Sequence, residues 1–395
     1  MKLKLKTQLD PAAIIVLLTF LVFLGFFGLE NYMTLLMLGI LALLGLDNWR
    51  IAKSAAVLLL ILMTHTVIYV INYNNVSLDW LAKNCFNPVI MYLVGYWLAK
   101  RQSVGKISSL FIIGFLLHGG LNVVLYWIDP DTLYNRTLVN IWGGEMAATL
   151  QNLLLIPIAA LLFYFLFMET SVRVKIMGIA GVILGVYCTL ITASRTLLYI
   201  MAIAFFIGTL VYTIKFKRKS VKIWVGIIIL ALALVIAYAF DILGIRSWVE
   251  LSELYDRVAS GVDEANSVTG NVRWDMALTV LKDLFDKPFG KIDSVNYAHN
   301  LYLDMAKFTG FLPALALFIW TFQHVISFFR TAIVRNDPVD NMDIAIFLVS
   351  ISLLIVFFLE PILEGLPIVF AGFCYLCGIM DVRKRQIYLD MKRDI

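Results

Sequence analysis

The chain runs to 395 residues, 61% of them hydrophobic and only 15% charged, with a formal net charge of +5 and a mean hydropathy of +0.88. A soluble protein carries roughly 25% charged residues, so this composition excludes an ordinary soluble domain. Apolar runs near the ~20 residues that cross a bilayer recur along the whole length, and the chain reads as an all-α polytopic membrane protein.

The amino terminus, MKLKLKTQLDPAAIIVLLTF (1–20), has the basic start and apolar continuation of a signal peptide. Its apolar stretch continues to Leu29, no small-residue cleavage site stands out, and another span follows at once. A retained first helix with a basic cytoplasmic anchor is therefore expected. About twelve spans follow from hydropathy, at 12–29, 31–46, 51–71, 85–99, 107–128, 148–168, 176–193, 197–214, 223–244, 300–328, 342–360 and 362–380. The apolar run from Ile176 to Ile214 is too long for one crossing, and its only polar break, Ser194-Arg195-Thr196, marks the turn between spans 7 and 8. Three sections result: 1–244 with spans 1–9, an outer loop at 245–299, and 300–395 with spans 10–12 and a basic tail.

Basic residues set the orientation. Alternate loops hold Lys2, Lys4, Lys6, Arg50, Lys53, Lys100, Arg101, Lys106, Arg173, Lys175, Lys215, Lys217, Arg218, Lys219, Lys222, Arg330 and Arg335. With Arg383, Lys384, Arg385, Lys392 and Arg393 of the tail, that puts 22 of the 32 Lys and Arg residues on one side, taken as cytoplasmic. Both termini then lie inside, as an even number of spans requires. The other ten basic residues lie outside with 18 of the 27 acidic ones.

Most outer connections are short, but 245–299 is a loop of about 55 residues, and a structureless loop of that length is unusual. Trp248, Leu251, Tyr255, Val258 and Val262 fall at helical spacing, as in an amphipathic helix lying on the membrane surface. A second helix is expected from Val272 to Asp286, with Asn271 as N-cap and Lys287-Pro288-Phe289-Gly290 as its stop. The four cysteines form no disulfide framework, and Cys374 and Cys377, a CxxC inside an apolar span, are expected to pack.

Three outer residues stand out. Arginine within hydrocarbon costs about 2.5–3.5 kcal/mol even on the lenient insertion scale, yet Arg195 stands almost alone in its apolar run. Arg273 falls near the start of the second loop helix, and His299 enters span 10. A guanidinium presents a planar fork of donors suited to phosphate oxygens, and a helix N-terminus adds its dipole. Histidine is the side chain that exchanges protons near neutral pH. Together they suit a site that holds a diphosphate and activates a hydroxyl. Each also has a plain structural meaning: Arg195 as a residue snorkelling to lipid phosphates, Arg273 as a surface charge, His299 as a satisfied interface histidine.

Weaker candidates are Asp304 and Lys307, expected to pair with each other on span 10, and Arg136 and Glu145 in the loop after span 5. Glu360 and Glu364, flanking a proline-containing turn, are expected to be solvated. Asp129-Pro130-Asp131 resembles a metal-binding DxD but sits at a span end, as an ordinary turn would. His65 and His118 lie within spans and are expected to be structural. The sequence shows no metal-ligand spacing, Walker motif or dinucleotide fingerprint.

The segments TASRTLLYI (192–200), GNVRWDMALTVLKDLFDKPFGK (270–291) and AHNLYLDMAKFTGFLP (298–313) resemble the O-antigen ligase/polymerase family of polysaccharide-assembling membrane glycosyltransferases. The family pattern of a membrane Arg, then Arg-x-x-x-Ala before Pro-x-Gly, then His-Asn opening a helix with Gly beyond it, falls on Arg195, on Arg273, Ala277, Pro288 and Gly290, and on His299, Asn300 and Gly310. The likeness covers the C-terminal half; the first six spans match only in hydropathy. Lys291 departs from it, standing where a second glycine is common.

The resemblance implies a GT-C-like membrane fold with its large loop between spans 9 and 10. It also implies a metal-independent, inverting transferase of the bacterial cytoplasmic membrane, with its site on the outer face and no cofactor. The donor would be a glycan on undecaprenyl diphosphate and the acceptor lipid A–core or a growing glycan; no nucleic acid is involved. Arg195 and Arg273 would bind the diphosphate and His299 would serve the acceptor hydroxyl, with Asn300, Asp304 and Arg136 as possible acceptor or supporting residues. The rival class is a polytopic transporter or lipid-linked glycan flippase, whose internal repeats and midplane helix breaks are not evident in this sequence.

The basic-residue partition makes the loop 245–299 extracytoplasmic. A cysteine at Ser260 should react with a membrane-impermeant thiol reagent in intact spheroplasts; labelling only after permeabilisation would reverse the orientation.

Overall fold

The structure, a computed structural model, describes residues 10–44, 53–74, 76–134, 136–216, 220–252, 254–255, 268–334 and 341–393. Asp10 opens α1 (Pro11–Phe23) by accepting from the Ala12 N–H, and Pro11 takes a first-turn position whose donor has no intrahelical acceptor. α2 (Glu30–Leu43) and α3 (Lys53–Tyr73) follow. Ser77 caps the single turn α4 (Leu78–Leu81), which passes through a π turn at 82–86 into α5 (Asn87–Ala99). α6 (Val104–Ile128) leads into a small antiparallel sheet, β1 (Leu133–Tyr134), β2 (Thr137–Val139) and β3 (Glu145–Ala147), which the all-helical expectation did not include. Leu138 of β2 pairs with Leu133 and Met146 on its two sides, and Leu138 and Met146 are buried.

The expected span 148–168 is two helices, α7 (Ala148–Ala159) and α8 (Leu162–Phe167), interrupted by a turn at Ala160–Leu161. α9 (Val172–Thr192), α10 (Thr196–Lys215), α11 (Ser220–Ala239) and α12 (Ile245–Glu250) come next. They are followed by α13 (Val268–Asp286), α14 (Leu301–Thr309), α15 (Phe311–Val334), α16 (Met342–Leu359), α17 (Ile362–Gly365) and α18 (Pro367–Arg393).

Among the described residues, eight helical stretches are long and apolar enough to cross a membrane: α3, α6, α7 with α8, α9, α10, α11, α15 and α16. Of the twelve expected spans, those at 12–29, 31–46, 85–99 and 362–380 fall on α1, α2, α5 and α18, which do not combine the length and hydropathy of these eight. The span expected at 300–328 is interrupted at Gly310, so its long apolar helix begins at Phe311. Asn271 is inside α13 rather than its cap, because the helix starts at Val268. Trp248 is helical, but its helix stops at Glu250, and Val258, Ser260 and Val262 lie outside the described residues. So do Lys2, Lys4, Lys6, Arg50, Lys217, Arg218, Lys219 and Arg335 of the orientation argument.

The centre is the antiparallel pair α5 and α18. A Cβ on Gly95 would collide with the Tyr375 carbonyl oxygen, and one on Gly378 with the Tyr92 carbonyl oxygen, so two glycines let the backbones touch. Tyr92 donates to Asp381 across the same seam. Cys374 and Cys377 are buried and free in α18, as packing residues would be. At one end of the bundle, Arg383 grips Asp343 with two nitrogens and ties α18 to α16.

Toward the other end, Asn122 donates to Gln151 at 2.8 Å and Thr189 to Asn152 at 2.9 Å, while Asn152 donates to Thr192 at 2.9 Å. This buried network joins α6, α7 and α9 beneath the turn that carries Arg195. His65 lies 2.7 Å from Thr309, tying α3 to the end of α14, the structural part expected of it. α11 leaves most of its strongly apolar side chains uncovered, the pattern of a lipid-facing helix.

Gly95→Val or Gly378→Val should therefore lower the unfolding temperature sharply, since overpacking of this kind costs about 1–3 kcal/mol or more. Gly39→Ala, with open space around it, should be neutral or slightly stabilising. The four buried free cysteines provide the readout: a fluorogenic thiol dye reports them only as the helices part.

Candidate functional site

The Arg195 turn is built by its neighbours. α9 ends with Ala193 in the left-handed region (φ 50°), and Arg195 is the half-buried residue leading into α10. Arg136, from the β1–β2 turn, donates through Nε to the Thr192 carbonyl and through Nη2 to that of Ala193, both at 3.1 Å. A cation on the last carbonyls of a helix complements both their lone pairs and the helix dipole. Arg136 is thus a support of the turn. Ser194 turns its hydroxyl inward, buried and without a partner.

The next residue, Thr196, points to a side chain that reads as solvated in the sequence. Its hydroxyl donates to Glu360 Oε1 at 3.2 Å, and Arg273 Nη1 reaches the same oxygen at 3.5 Å and the Leu359 carbonyl at 3.3 Å. Glu360 is 1% exposed, not solvated as expected, and its second oxygen is buried without a partner. Burial pushes its carboxyl above the ordinary carboxylate range, while Arg273 and Thr196 oppose that shift. Arg273 keeps a side chain 39% exposed, so its guanidinium is anchored on one side and open on the other. One carboxylate at the end of α16 therefore gathers α10 and α13.

His299 reaches the same place on a constrained loop. It adopts φ 52°, a region that costs a non-glycine residue about 1–3 kcal/mol. Asp304 holds it there, accepting from the Ala298 N–H at 2.5 Å and the Asn300 N–H at 3.3 Å, the two amides that bracket the histidine. Asn300 caps α14 through Oδ1 and donates to the Phe358 carbonyl at 3.4 Å, fastening the loop to α16. Tyr297 packs edge-on against the imidazole at 4.6 Å, and Nδ1 of His299 is buried without a partner. Burial, reinforced by the positive charge of Arg273, lowers the imidazole to about 4, so His299 is neutral at physiological pH.

The expected pairing of Asp304 with Lys307 does not form. Asp304 is spent on the loop amides; Lys307 bonds the Asn296 carbonyl and Glu364, at 3.3 Å. Glu364 is exposed, as expected, while its carboxylate pairs with Lys307. The Pro288-Phe289-Gly290 stop docks on the end of α14: Ile292 N–H donates to the Lys307 carbonyl at 3.1 Å and Phe311 N–H to that of Pro288 at 3.2 Å. A Cβ at Gly290 would strike the backbone of Phe308 and Thr309, and one at Gly310 that of Pro288 and Phe289, so these glycines are steric requirements. Lys291, at the position where a glycine is common in the resembling family, has φ 60°. Asp129-Pro130-Asp131 is a turn, closed by the Asp131 N–H on Asp129.

The geometry thus brings Arg273, His299, Asn300 and the Arg195–Thr196 turn to one end of the bundle around Glu360, with Asp304 and Arg136 as positioning residues behind them. Such an arrangement has the donors to grip an anion beside a neutral imidazole able to take a proton. Glu360 was the residue missed; its signal was a lone acid immediately before Pro361 at the end of an apolar run.

Histidine-selective NMR can follow the titration, since the chain has only four histidines. His299 should stay neutral until the pH falls to about 4, and Arg273→Gln should raise that midpoint while leaving it below 6.5, because burial persists. A wild-type midpoint near 6.5 would contradict this placement. No family model matches this chain, and no curated protein matches it either.

Proposed function

We propose that this protein is a membrane glycosyltransferase of surface-polysaccharide assembly, an O-antigen ligase or polysaccharide polymerase. It would transfer a glycan from undecaprenyl diphosphate to an acceptor sugar hydroxyl on the outer face of the bacterial cytoplasmic membrane. The observation that carries this is the meeting of Arg273 with the Arg195–Thr196 turn at Glu360, beside the clamped His299 loop.

In this mechanism Arg195 and Arg273 hold the donor diphosphate. The acceptor oxygen bonds to the anomeric carbon from the side opposite the leaving group. The bond from that carbon to the diphosphate oxygen breaks, its electron pair departs with the lipid diphosphate, and the hydroxyl proton passes to His299. Cationic stabilisation of a leaving diphosphate is an electrostatic effect of several kcal/mol. A diphosphate seated on Arg273 also cancels the field that weakens His299 as a base, so proton affinity rises when the donor is bound.

Reconstituted with a lipid-diphosphate glycan, Arg195→Lys and Arg273→Lys should each lose at least about tenfold in transfer, because a lysine keeps the charge but not the planar fork. His299→Ala should slow transfer by about 10²–10⁴ while the donor still binds. In cells, long glycan stranded on undecaprenyl diphosphate identifies a ligase, and single repeat units on lipid A–core a polymerase. Normal glycan assembly by a stable His299→Ala protein refutes the mechanism.

A further inference from the structure

One turn along α14 from Asp304, a separate cleft of about 440 Å³ opens between α3, the turn α4 and the segment 362–367. That volume lies within the roughly 300–1,000 Å³ of small-molecule sites. Its wall is aromatic: Tyr69 and Trp80 stack at 4.0 Å, and Phe308 lies 5.4 Å from Tyr69. Two acids, Asp79 and Glu364, and one lysine, Lys83, line it, and each acid is already paired. Asp79 meets Lys83 at 2.7 Å, and Glu364 meets Lys307 of α14 at 3.3 Å. Ser77 and the buried Asn84 add neutral polar groups.

This chemistry selects among ligands. A phosphate entering the cleft would face two carboxylates against one lysine, and an ammonium would find both carboxylates already partnered, so neither finds strong net attraction. A neutral ring with an apolar C–H face and a rim of hydroxyls matches both features: aromatic surface for the face, paired donors and acceptors for the rim. We propose that this cleft binds a neutral pyranose and anchors the acceptor glycan at a sugar away from the reacting hydroxyl. The sugar class stands on the cleft alone; the acceptor role rests on the transferase function proposed above.

The test uses the full chain in nanodiscs and saturation-transfer NMR with methyl glycosides of glucose, galactose, mannose, rhamnose, N-acetylglucosamine and N-acetylgalactosamine. At least one should give saturable transfer to its ring C–H protons. The signal should fall at least tenfold in Trp80→Ala and in the near-isosteric Glu364→Gln, each first shown to unfold at the wild-type temperature by the thiol-dye assay. Absence of saturable transfer from all six, or a signal that survives both substitutions, overturns the proposal. So does binding of tetramethylammonium or inorganic pyrophosphate in the cleft in place of a glycoside. Arg273→Lys separates the two levels: glycoside binding should persist while transfer falls. If the wild-type chain gives no transfer, the transferase function and the acceptor role fall together, and the sugar site remains.

Discussion

A single buried carboxylate organises the end of this molecule that carries the candidate site. Removing a charge from water costs several kcal/mol unless it is partnered, and Glu360, at the end of α16, finds its partners on two other segments: Thr196 at the head of α10 and Arg273 in α13. Neither α10 nor α13 is adjacent to α16 in sequence, so this contact converts three distant pieces of chain into one wall. The Asn300 bond to Phe358, two residues earlier, brings the histidine loop to that same wall.

Behind it stand supports of a different kind, made mostly of backbone. Asp304 fixes the amides on either side of His299, and Arg136 closes the carbonyls of α9 under the Arg195 turn. The Gly290 and Gly310 backbones pack so closely that α13, the connecting loop and α14 form one clasp, which Asn72 of α3 reinforces by donating to the Phe289 and Phe308 carbonyls. Precision at the side chains thus descends from hydrogen bonds that leave little room for the loop to relax.

The parts legible in the sequence were those written in local pattern. Hydropathy located the long helices, the polar break at 194–196 located the α9–α10 turn, and Lys287-Pro288-Phe289-Gly290 located the end of α13. What escaped was written in tertiary contact. Glu360 looked like a solvated turn residue because nothing nearby in sequence shows that Arg273, 87 positions earlier, comes to meet it. Asp304 and Lys307 looked like a helix pair because their spacing allows it, but stronger partners outside the helix claimed both. The break at Gly310 was hidden because hydropathy continues across it, and the sheet at 133–147 because its strands are two or three residues long.

For the anion proposed to bind here, the shared oxygen of Glu360 would also set a threshold. Before any ligand arrives, the guanidinium of Arg273 already has a counter-anion built into the protein, so an incoming anion competes against an occupant that cannot diffuse away. A monovalent ion would exchange one contact for an equivalent one and gain little. A polyvalent group able to engage several donors at once gains more than it displaces. On the proposed diphosphate role, Glu360 would thus favour a polyvalent anion over a monovalent one, and its removal would weaken that preference.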